Sequence, residues 1–512
     1  MSGELKQEIQ AALRSELYPF FVRAMKNVMP GDGYLHNWHM VVMCAALEKM
    51  VSGDSKRLIL NIHPRMGKSL LCSVALPMFL LMQDPSLQIM CLSYSDSLAA
   101  DFHQKCRMIA QKKWYQDLNP ALQFKEVGKV SLLKASSDIL QTSQLGYRLA
   151  SSIGGSFTGK GADWIIIDDP NDMALIHSEA HRTKINNTFD TAIANRLNNK
   201  DGRILVVSQR GHIDDLSGHL LGNGNFDQLK IEAIAREDQT IAMGKNLFYN
   251  RKKGELIHPE RFGHKELDER KIDLGSMAFE AQYQQNPQPP DGNLFKKEWI
   301  KFISKLPEFQ YVFITADIAQ TTGGGDWSAF IVWGYHDSIW YVLHAHRVQY
   351  DMPGVLKYFA LLDKKYEPDF TVIESNGPGA GIAAMLVERE YGRVGTTIVS
   401  GSKIVRAMDV TPLVEKGIVV FNENMEGRDA FLNELLAFPS TKYDDWVDAF
   451  TLPLHKRSDL LRVGNTHRRE GRRHLPEEWG NTLRVNMYSL GSSSSGDKYF
   501  DRTGVHLFGG KY

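Results

Sequence analysis

The chain reads as two successive α/β units, the first built on a parallel sheet and the second on a mixed one. Three observations predict this. Up to about Thr240, short β-rich apolar runs alternate with helical stretches, the order that a helix-flanked parallel sheet requires. Beyond Leu294 the apolar runs first form a hairpin and then alternate with helices. The length of 512 residues exceeds one ordinary core, so two domains of roughly 150–250 residues are expected. A hydrophobic fraction of 43% with 23% charged residues is that of a globular protein. Sixty basic and sixty acidic side chains cancel, which excludes a uniformly basic surface but leaves room for local basic patches that meet nucleic acid.

Smaller features narrow the class. Cys44, Cys72, Cys91 and Cys106 show no C-x-x-C pairing and sit in apolar or helical contexts, so they read as reduced core residues and not as a disulfide framework or a zinc site. The polar start M-S-G-E-L-K-Q-E-I-Q is no signal peptide, and no apolar run approaches the roughly 20 residues of a membrane span. A soluble, intracellular protein with no membrane partner is expected.

Taken in order, residues 1–30 suggest an amphipathic helical arm closed by P-G-D-G at Pro30 to Gly33. Residues 31–240 hold strands expected at Arg57–Ile62, Gln88–Ser93, Tyr147–Ala150, Trp164–Ile167 and Arg203–Ser208. Residues 241–291 are polar and rich in Pro, Gly and Gln, the composition of a linker or lid subdomain. Residues 292–455 hold strands expected at Tyr311–Ala316, Ser328–Tyr335, Ile339–His346, Phe370–Glu374 and Thr396–Ser400. The second and third of these are joined by a short turn and predict an antiparallel hairpin. A hairpin sheet that continues as β-α-β is the order of ribonuclease H-like folds. Residues 456–512 form a basic, then Ser/Gly-rich tail, read as partly flexible, that suits DNA, an acidic protein surface or plain solvation.

The first chemical signal is I-H-P-R-M-G-K-S, Ile62 to Ser69, between an apolar strand and an apolar helix. A phosphate loop needs converging backbone N–H groups, a lysine for the β/γ-phosphates and a hydroxyl for Mg²⁺. Gly67, Lys68 and Ser69 meet the last three positions, although Ile62 stands where the first glycine usually does. The expected nucleotide-binding set is therefore Arg65, Met66, Gly67, Lys68, Ser69 and Leu70. In W-I-I-I-D-D-P, Asp168 ends a strand and is expected to hold the ATP-bound Mg²⁺ with Ser69, while Asp169 orients or deprotonates the attacking water. Together these predict a P-loop (RecA/ASCE-like) ATPase with a parallel sheet. Arg65 fits either a charge against the transferred phosphate or a contact to neighbouring backbone. Ser208-Gln209-Arg210 follows a strand and fits either a γ-phosphate sensor or a polar turn. Trp38 and His39 fit either an adenine contact or core packing.

The second signal is a set of acids at element ends. Asp317 follows Y-V-F-I-T-A, Glu374 follows T-V-I, and Asp444-Asp445 opens an apolar helix that also carries Asp448. Hydrolysis of phosphodiesters with two divalent ions needs several carboxylates converging around ions about 4 Å apart, and oxygen ligands suit Mg²⁺ or Mn²⁺ over zinc. Asp317, Glu374, Asp444 and Asp445 are the expected ligands, with Asp317, Glu374 and Asp445 in the catalytic role. Either member of the Asp pair also suits a plain helix N-cap. Asp326 is a looser candidate that also suits the start of the second strand. Lys403 and Arg406 suit DNA phosphates, the scissile group or solvent.

With these residues in view, the chain resembles the large terminase subunit of tailed bacteriophages from about Gly33 to His455. The carriers are W-H-M-V-V-M-C-A-A-L-E-K (Trp38–Lys49), H-P-R-M-G-K-S, I-I-I-D-D-P, Ser208-Gln209-Arg210 and F-E-A-Q-Y-Q-Q-N-P-Q-P-P-D-G (Phe279–Gly292), followed by T-A-D-I-A, V-I-E-S-N-G, F-L-N-E-L-L-A-F-P and D-D-W-V-D-A. The resemblance implies an ATPase that drives double-stranded DNA into a procapsid and a ribonuclease H-like endonuclease that cuts the concatemer. Its cofactors are ATP with Mg²⁺, and Mg²⁺ or Mn²⁺ at the nuclease. It implies as partners a small terminase subunit, the procapsid portal and further copies in a ring, a pentamer when docked, with a monomer in isolation. The implied place is the cytoplasm of the infected bacterium, transiently at the portal and not in the mature virion. A trans-acting arginine stays unassigned between Arg196 and Arg210. A helicase–nuclease, an integrase-like enzyme with a nucleotide switch and a decayed docking protein are the competing readings. The single phosphate loop and single acidic strand weigh against the first, negligible DNA-stimulated turnover would mark the second, and the intact Lys68, Asp168, Asp169, Asp317 and Glu374 weigh against the third.

Overall fold

The computed structural model describes residues 3–29, 35–120, 122, 138–155, 159–244, 246–288, 293–319, 327–375, 379–388, 394–399, 401–441, 443–462 and 486–488. The Pro30–Gly33 turn, Asp326 and the tail beyond Arg462 apart from 486–488 lie outside them, as does the Gly491–Gly496 segment. The chain divides into two compact units, Met1–Gly292 and Asn293–Tyr512. Among the described residues no helix is long and apolar enough to cross a membrane.

The first unit is a seven-stranded sheet of β1 (Arg57–Ile62), β2 (Gln88–Ser93), β3 (Ile139–Gln141), β4 (Tyr147–Ser152), β5 (Trp164–Asp168), β6 (Arg203–Ser208) and β7 (Asp227–Ile231), in the order β3-β4-β2-β5-β6-β1-β7. Every neighbouring pair is parallel except β3 with β4. The central strands are continuous apolar runs because helices cover both faces. Leu58, Leu60 and Ile62 enter one core while Ile59 enters the other. The N-terminal segment departs from the expected arm. Helices Gly3–Ser15 and Leu17–Val28 join the first core, because Leu17, Phe20, Phe21, Ala24 and Met25 form a complete helical stripe that is buried. Strand β7 escaped the sequence reading because D-Q-L-K-I is a polar edge strand. Also unforeseen is the hairpin β8 (Gln239–Gly244) with β9 (Leu247–Arg251).

The helix after the phosphate loop starts as a π-helical stretch, Leu70–Ala75, and continues as an α-helix, Leu76–Gln83. Pro77 explains the arrangement: it has no N–H for the Ser73 carbonyl four residues back. Instead the fully buried Arg148 donates to Ser73 O at 3.0 Å. The four cysteines are free and buried.

The second unit has an eight-stranded mixed sheet: β10 (Lys301–Ile303), β11 (Tyr311–Asp317), β12 (Ser328–His336), β13 (Ile339–Val348), β14 (Phe370–Glu374), β15 (Val394–Thr397), β16 (Val419–Asn422) and β17 (Asn486–Tyr488). The order is β10-β16-β13-β12-β11-β14-β15-β17. The β12–β13 hairpin turns through Asp337 and Ser338 at φ 46° and 67°, the two left-handed positions of a tight hairpin loop. Strand β15 begins two residues before the expected Thr396, and β10 and β16 are too short to announce themselves. Helices Met352–Tyr366 and Gly379–Glu388 cover one face, where Ile314 and Ala316 point. Helices Lys403–Glu415, Arg428–Ala437 and Asp445–His455 belong to the other. There Phe313 stacks between Trp333 (6.1 Å) and Phe370 (5.0 Å).

Truncation of Phe313, which is fully buried, to alanine should lower the stability of the second unit by about 3–5 kcal/mol. Chemical denaturation monitored by tryptophan fluorescence checks this.

Candidate functional site

In the first unit β6 stands between β1 and β5, all three parallel, so the ends of the phosphate-loop strand, the acidic strand and Ser208 share one edge. This is the edge where open α/β sheets bind ligands. The loop turns through left-handed backbone at Arg65 (φ 68°) and Gly67 (φ 77°). Glycine takes that conformation freely, whereas Arg65 carries strain on the order of 1 kcal/mol. Lys68 donates to Asp169 Oδ1 at 2.9 Å. Ser69 donates to Asp168 Oδ1 at 3.1 Å, and Ser73 to its Oδ2 at 2.7 Å. Asp168 is fully buried, and burial, followed by the charge of Asp169, pushes it up to about 7 against the pull of Ser73 and Lys68. Asp169, itself at φ 45°, accepts the Gln209 N–H at 3.2 Å.

A cavity of about 760 Å³ lies over the loop, lined by Arg65 to Leu70, Asp169, His39, Lys105, His258, Arg261 and Phe262. Its last three residues come from the segment 241–291, which packs on the loop: Arg261 donates to Arg65 O at 2.7 Å, and Tyr283 stacks on His63 at 5.1 Å. His39 is held down to about 3, mainly by burial, so it is neutral beside Met66 O at 3.2 Å.

Two expected nucleotide contacts sit elsewhere. Trp38 does not line the cavity; it stacks on Tyr249 at 4.5 Å with the Arg251 guanidinium 5.3 Å from its ring. Both partners come from the unforeseen β8–β9 hairpin. Arg210 is also absent from the lining, buried with its Nε 3.0 Å from Asp215 and its Nη2 on the His212 and Ile213 carbonyls. That engagement occupies its guanidinium within the unit, in the γ-phosphate or trans-acting role alike.

In the second unit β11 and β14 are parallel neighbours with Ala316 opposite Ile373, so Asp317 and Glu374 end adjacent strands at one edge. Helix Asp445–His455 is anchored over them by Thr315 Oγ1, which donates to Ala449 O at 3.0 Å. Helix Lys403–Glu415 supplies two cations. Lys403 lies 2.6 Å from Asp444 and 2.7 Å from Asp448, and Arg406 lies 3.4 Å from Glu374 and 2.5 Å from Asp448. Burial, then the charges of Glu374 and Asp448, push Asp317 up to about 7, with Lys403 opposing. Asp445 and Asp448 are raised as well, chiefly by burial. Burial alone would lower Lys403, but its bonds to Asp444 and Asp448 more than reverse this and raise it.

Residues 314–457 match the family model of the terminase RNaseH-like domain. The matched stretch lies wholly within the C-terminal unit. Among solved structures, the large terminase of a thermophilic bacteriophage is similar at a TM-score of 0.47 and 10% identity, over 81% of this chain and 96% of that one. The large terminase of bacteriophage HK97 is similar at 0.34 and 11%, over 81% and 92%. The large terminase nuclease of thermophilic phage G20c, solved with bound magnesium, is similar at 0.25 and 17%, over 32% and 97%. No curated protein matches the chain.

Within the matched stretch, Asp317, Glu374, Asp445 and Asp448 come together closely enough for the other three to act on the charge of Asp317. Among the described residues no three acids, histidines or cysteines converge as ready ligands of one ion. Lys403 and Arg406 stand among the carboxylates and pair with Asp444, Asp448 and Glu374. The donor set still fits a hard divalent cation, because it is all carboxylate oxygen and its mutual repulsion is what such a cation relieves. Lys403 and Arg406 thus face neither solvent alone nor an outer groove. From sequence Ser73 carried no expected role, and Asp448 none beyond its place on the helix that Asp444-Asp445 opens. Ser73 lies four residues after Ser69, one helical turn on, which was the available signal.

Asp317 is protonated in the folded metal-free chain over a range where the unfolded chain has it ionised. Stability therefore falls as pH rises from 3.8 to about 7. Asp317→Asn should exceed wild type by roughly 1–2 kcal/mol at pH 8 in EDTA, and the gain should vanish near pH 4. Denaturation curves at the two pH values give the answer.

Proposed function

We propose that the chain is a large terminase subunit, a packaging motor in which ATP hydrolysis drives double-stranded DNA into a procapsid and the C-terminal domain cuts the genome. The observation that carries this is the terminase domain match over 314–457, on the unit whose adjacent strand ends present Asp317 and Glu374. A strand-bordered phosphate loop under a cavity of about 760 Å³ in the other unit supports the ATPase half. The large terminase from the first of the phages named above was solved with ADP and with ATP-gamma-S, and the G20c nuclease with cobalt, magnesium and zinc. Those ligands accord with ATP and divalent metal use here.

In the ATPase unit Lys68 serves the β/γ-phosphates and Ser69 the nucleotide's Mg²⁺, with the buried Asp168 fixing both Ser69 and Ser73. Lys68 leaves Asp169 when phosphate arrives, which frees that carboxylate to orient the attacking water. The Asp169 bond to Gln209 N then carries the change into β6. The strained Arg65 is the in-chain cation for the transferred phosphate.

In the nuclease unit Asp317, Glu374, Asp444 and Asp445 hold the divalent cations, Mg²⁺ or Mn²⁺, which supply charge stabilisation to the phosphodiester undergoing hydrolysis. Asp448, gripped by Arg406 and Lys403, holds these two cationic side chains in register with the ligands. Double-stranded DNA, a small terminase subunit, the portal and a pentameric ring of copies are the proposed partners, in the cytoplasm of the infected host. A chain of zero net charge binds DNA weakly alone, and ring assembly multiplies its contacts.

Plasmid cleavage with Mn²⁺ and ATP hydrolysis, read in the same tubes, test this reading. Asp317→Ala should lose cleavage by about 100-fold or more and Lys68→Ala should lose ATP turnover by a similar factor, each sparing the other activity. Undiminished cleavage by Asp317→Ala would remove the nuclease half.

A further inference from the structure

The helix that carries Asp445 and Asp448 starts without a cap of its own. Asp444 occupies the N-cap position, yet its side chain makes no capping bond and instead lies 2.6 Å from Lys403 Nζ. The N–H groups of a helix's first turn need acceptors, and here a different helix provides one. Glu434, buried on Arg428–Ala437, accepts the Trp446 N–H at 2.9 Å, and the Val447 backbone also bonds its carboxylate. These are the second and third helical positions, the ones that an N-cap side chain normally serves.

Glu434 is itself held. Its other oxygen pairs with Arg347 near the end of β13. The Arg347 guanidinium packs over Trp446 at 4.5 Å, Tyr443 at 4.8 Å and Trp327 at 5.0 Å, and stands 3.9 Å from Asp445 Oδ2. Planar guanidinium stacking fixes the orientation of this fork in a way lysine does not reproduce. A self-capped helix would consume the Asp444 carboxylate on its own backbone. With the cap supplied from outside, Asp444 keeps its carboxylate on Lys403, which also pairs with Asp448, and Asp445 stays close enough for its charge to act on Asp317.

We propose that Glu434, steered by Arg347, is an external N-cap that sets the start of helix Asp445–His455 and so positions Asp444 and Asp445 for divalent cation binding. Both are positioning residues, and the inference rests on the nuclease reading above.

The test uses the full-length chain with two readouts: amide hydrogen exchange without metal, and Mn²⁺ binding by electron paramagnetic resonance. In Glu434→Ala, exchange in the peptide opening at Trp446 should rise roughly 5–30-fold, and Mn²⁺ affinity should fall about 10–100-fold. Glu434→Gln keeps an acceptor oxygen and should restore slow exchange and most of the affinity. Arg347→Lys should weaken Mn²⁺ binding while leaving ATP hydrolysis intact, which excludes general misfolding. Wild-type exchange and wild-type Mn²⁺ affinity in Glu434→Ala overturn the proposal. Asp317→Asn separates the two failures. If it abolishes Mn²⁺ binding while Glu434→Ala does not alter it, the positioning role of Glu434 falls and the cation site stands. If Asp317→Asn binds Mn²⁺ as wild type does, the cation site falls and the positioning role with it.

Discussion

A carboxylate buried at the end of a parallel strand must be answered by a cation or a hydrogen-bond donor, and this requirement organises both units. In the first, Asp168 ends β5 and Asp169 follows it, and Lys68, Ser69 and Ser73 from the loop and its helix answer them. In the second, Asp317 and Glu374 end adjacent strands, and Lys403 and Arg406 from one helix answer the cluster they form with Asp444 and Asp448. Leaving such charges unanswered away from water costs several kcal/mol each. The same pairs already engage these groups within the chain: Asp169 holds Lys68, and Lys403 holds Asp444 and Asp448.

Backbone groups left over by these arrangements are settled by long side chains from elsewhere. Pro77 frees the Ser73 carbonyl, and the buried Arg148 takes it. That contact steadies the turn from which Ser73 reaches Asp168. The uncapped start of helix Asp445–His455 is met by Glu434, itself set by Arg347. In each case a residue distant in sequence and outside the acid cluster fixes a turn that carries a functional oxygen. The phosphate loop receives similar support from Arg261 on the Arg65 carbonyl and Tyr283 on His63. The polar segment 241–291 thereby supplies a wall of the cavity over the loop, through His258, Arg261 and Phe262.

Much of the fold was legible because period and chain order carry it. Apolar runs of five or six residues ending in Asp168 or Glu374 are buried strands under any tertiary arrangement, and Asp337-Ser338 between two such runs is a hairpin. Polar edge strands such as Asp227–Ile231 carry no such pattern, since only their backbone joins the sheet. The N-terminal helix Leu17–Val28 shows the limit from the other side. Its stripe was readable, but a stripe names no partner, and only packing placed Phe20 against Phe79.

By itself the sequence determined which chemistry is available: a lysine and hydroxyl after a strand, an acid pair after another, and three more acidic sites at element ends. These are local facts, set by backbone periodicity and by the residue types that strand and helix ends expose. Tertiary structure alone decided what each of those groups touches. It turned Trp38 to Tyr249 and Arg210 to Asp215, placed Asp317 beside Glu374, and brought Glu434 to the Trp446 N–H. The reason is physical: a side chain's type fixes what bonds it can make, but a bond needs two groups within about 3 Å, and only the packed chain decides which groups come that close.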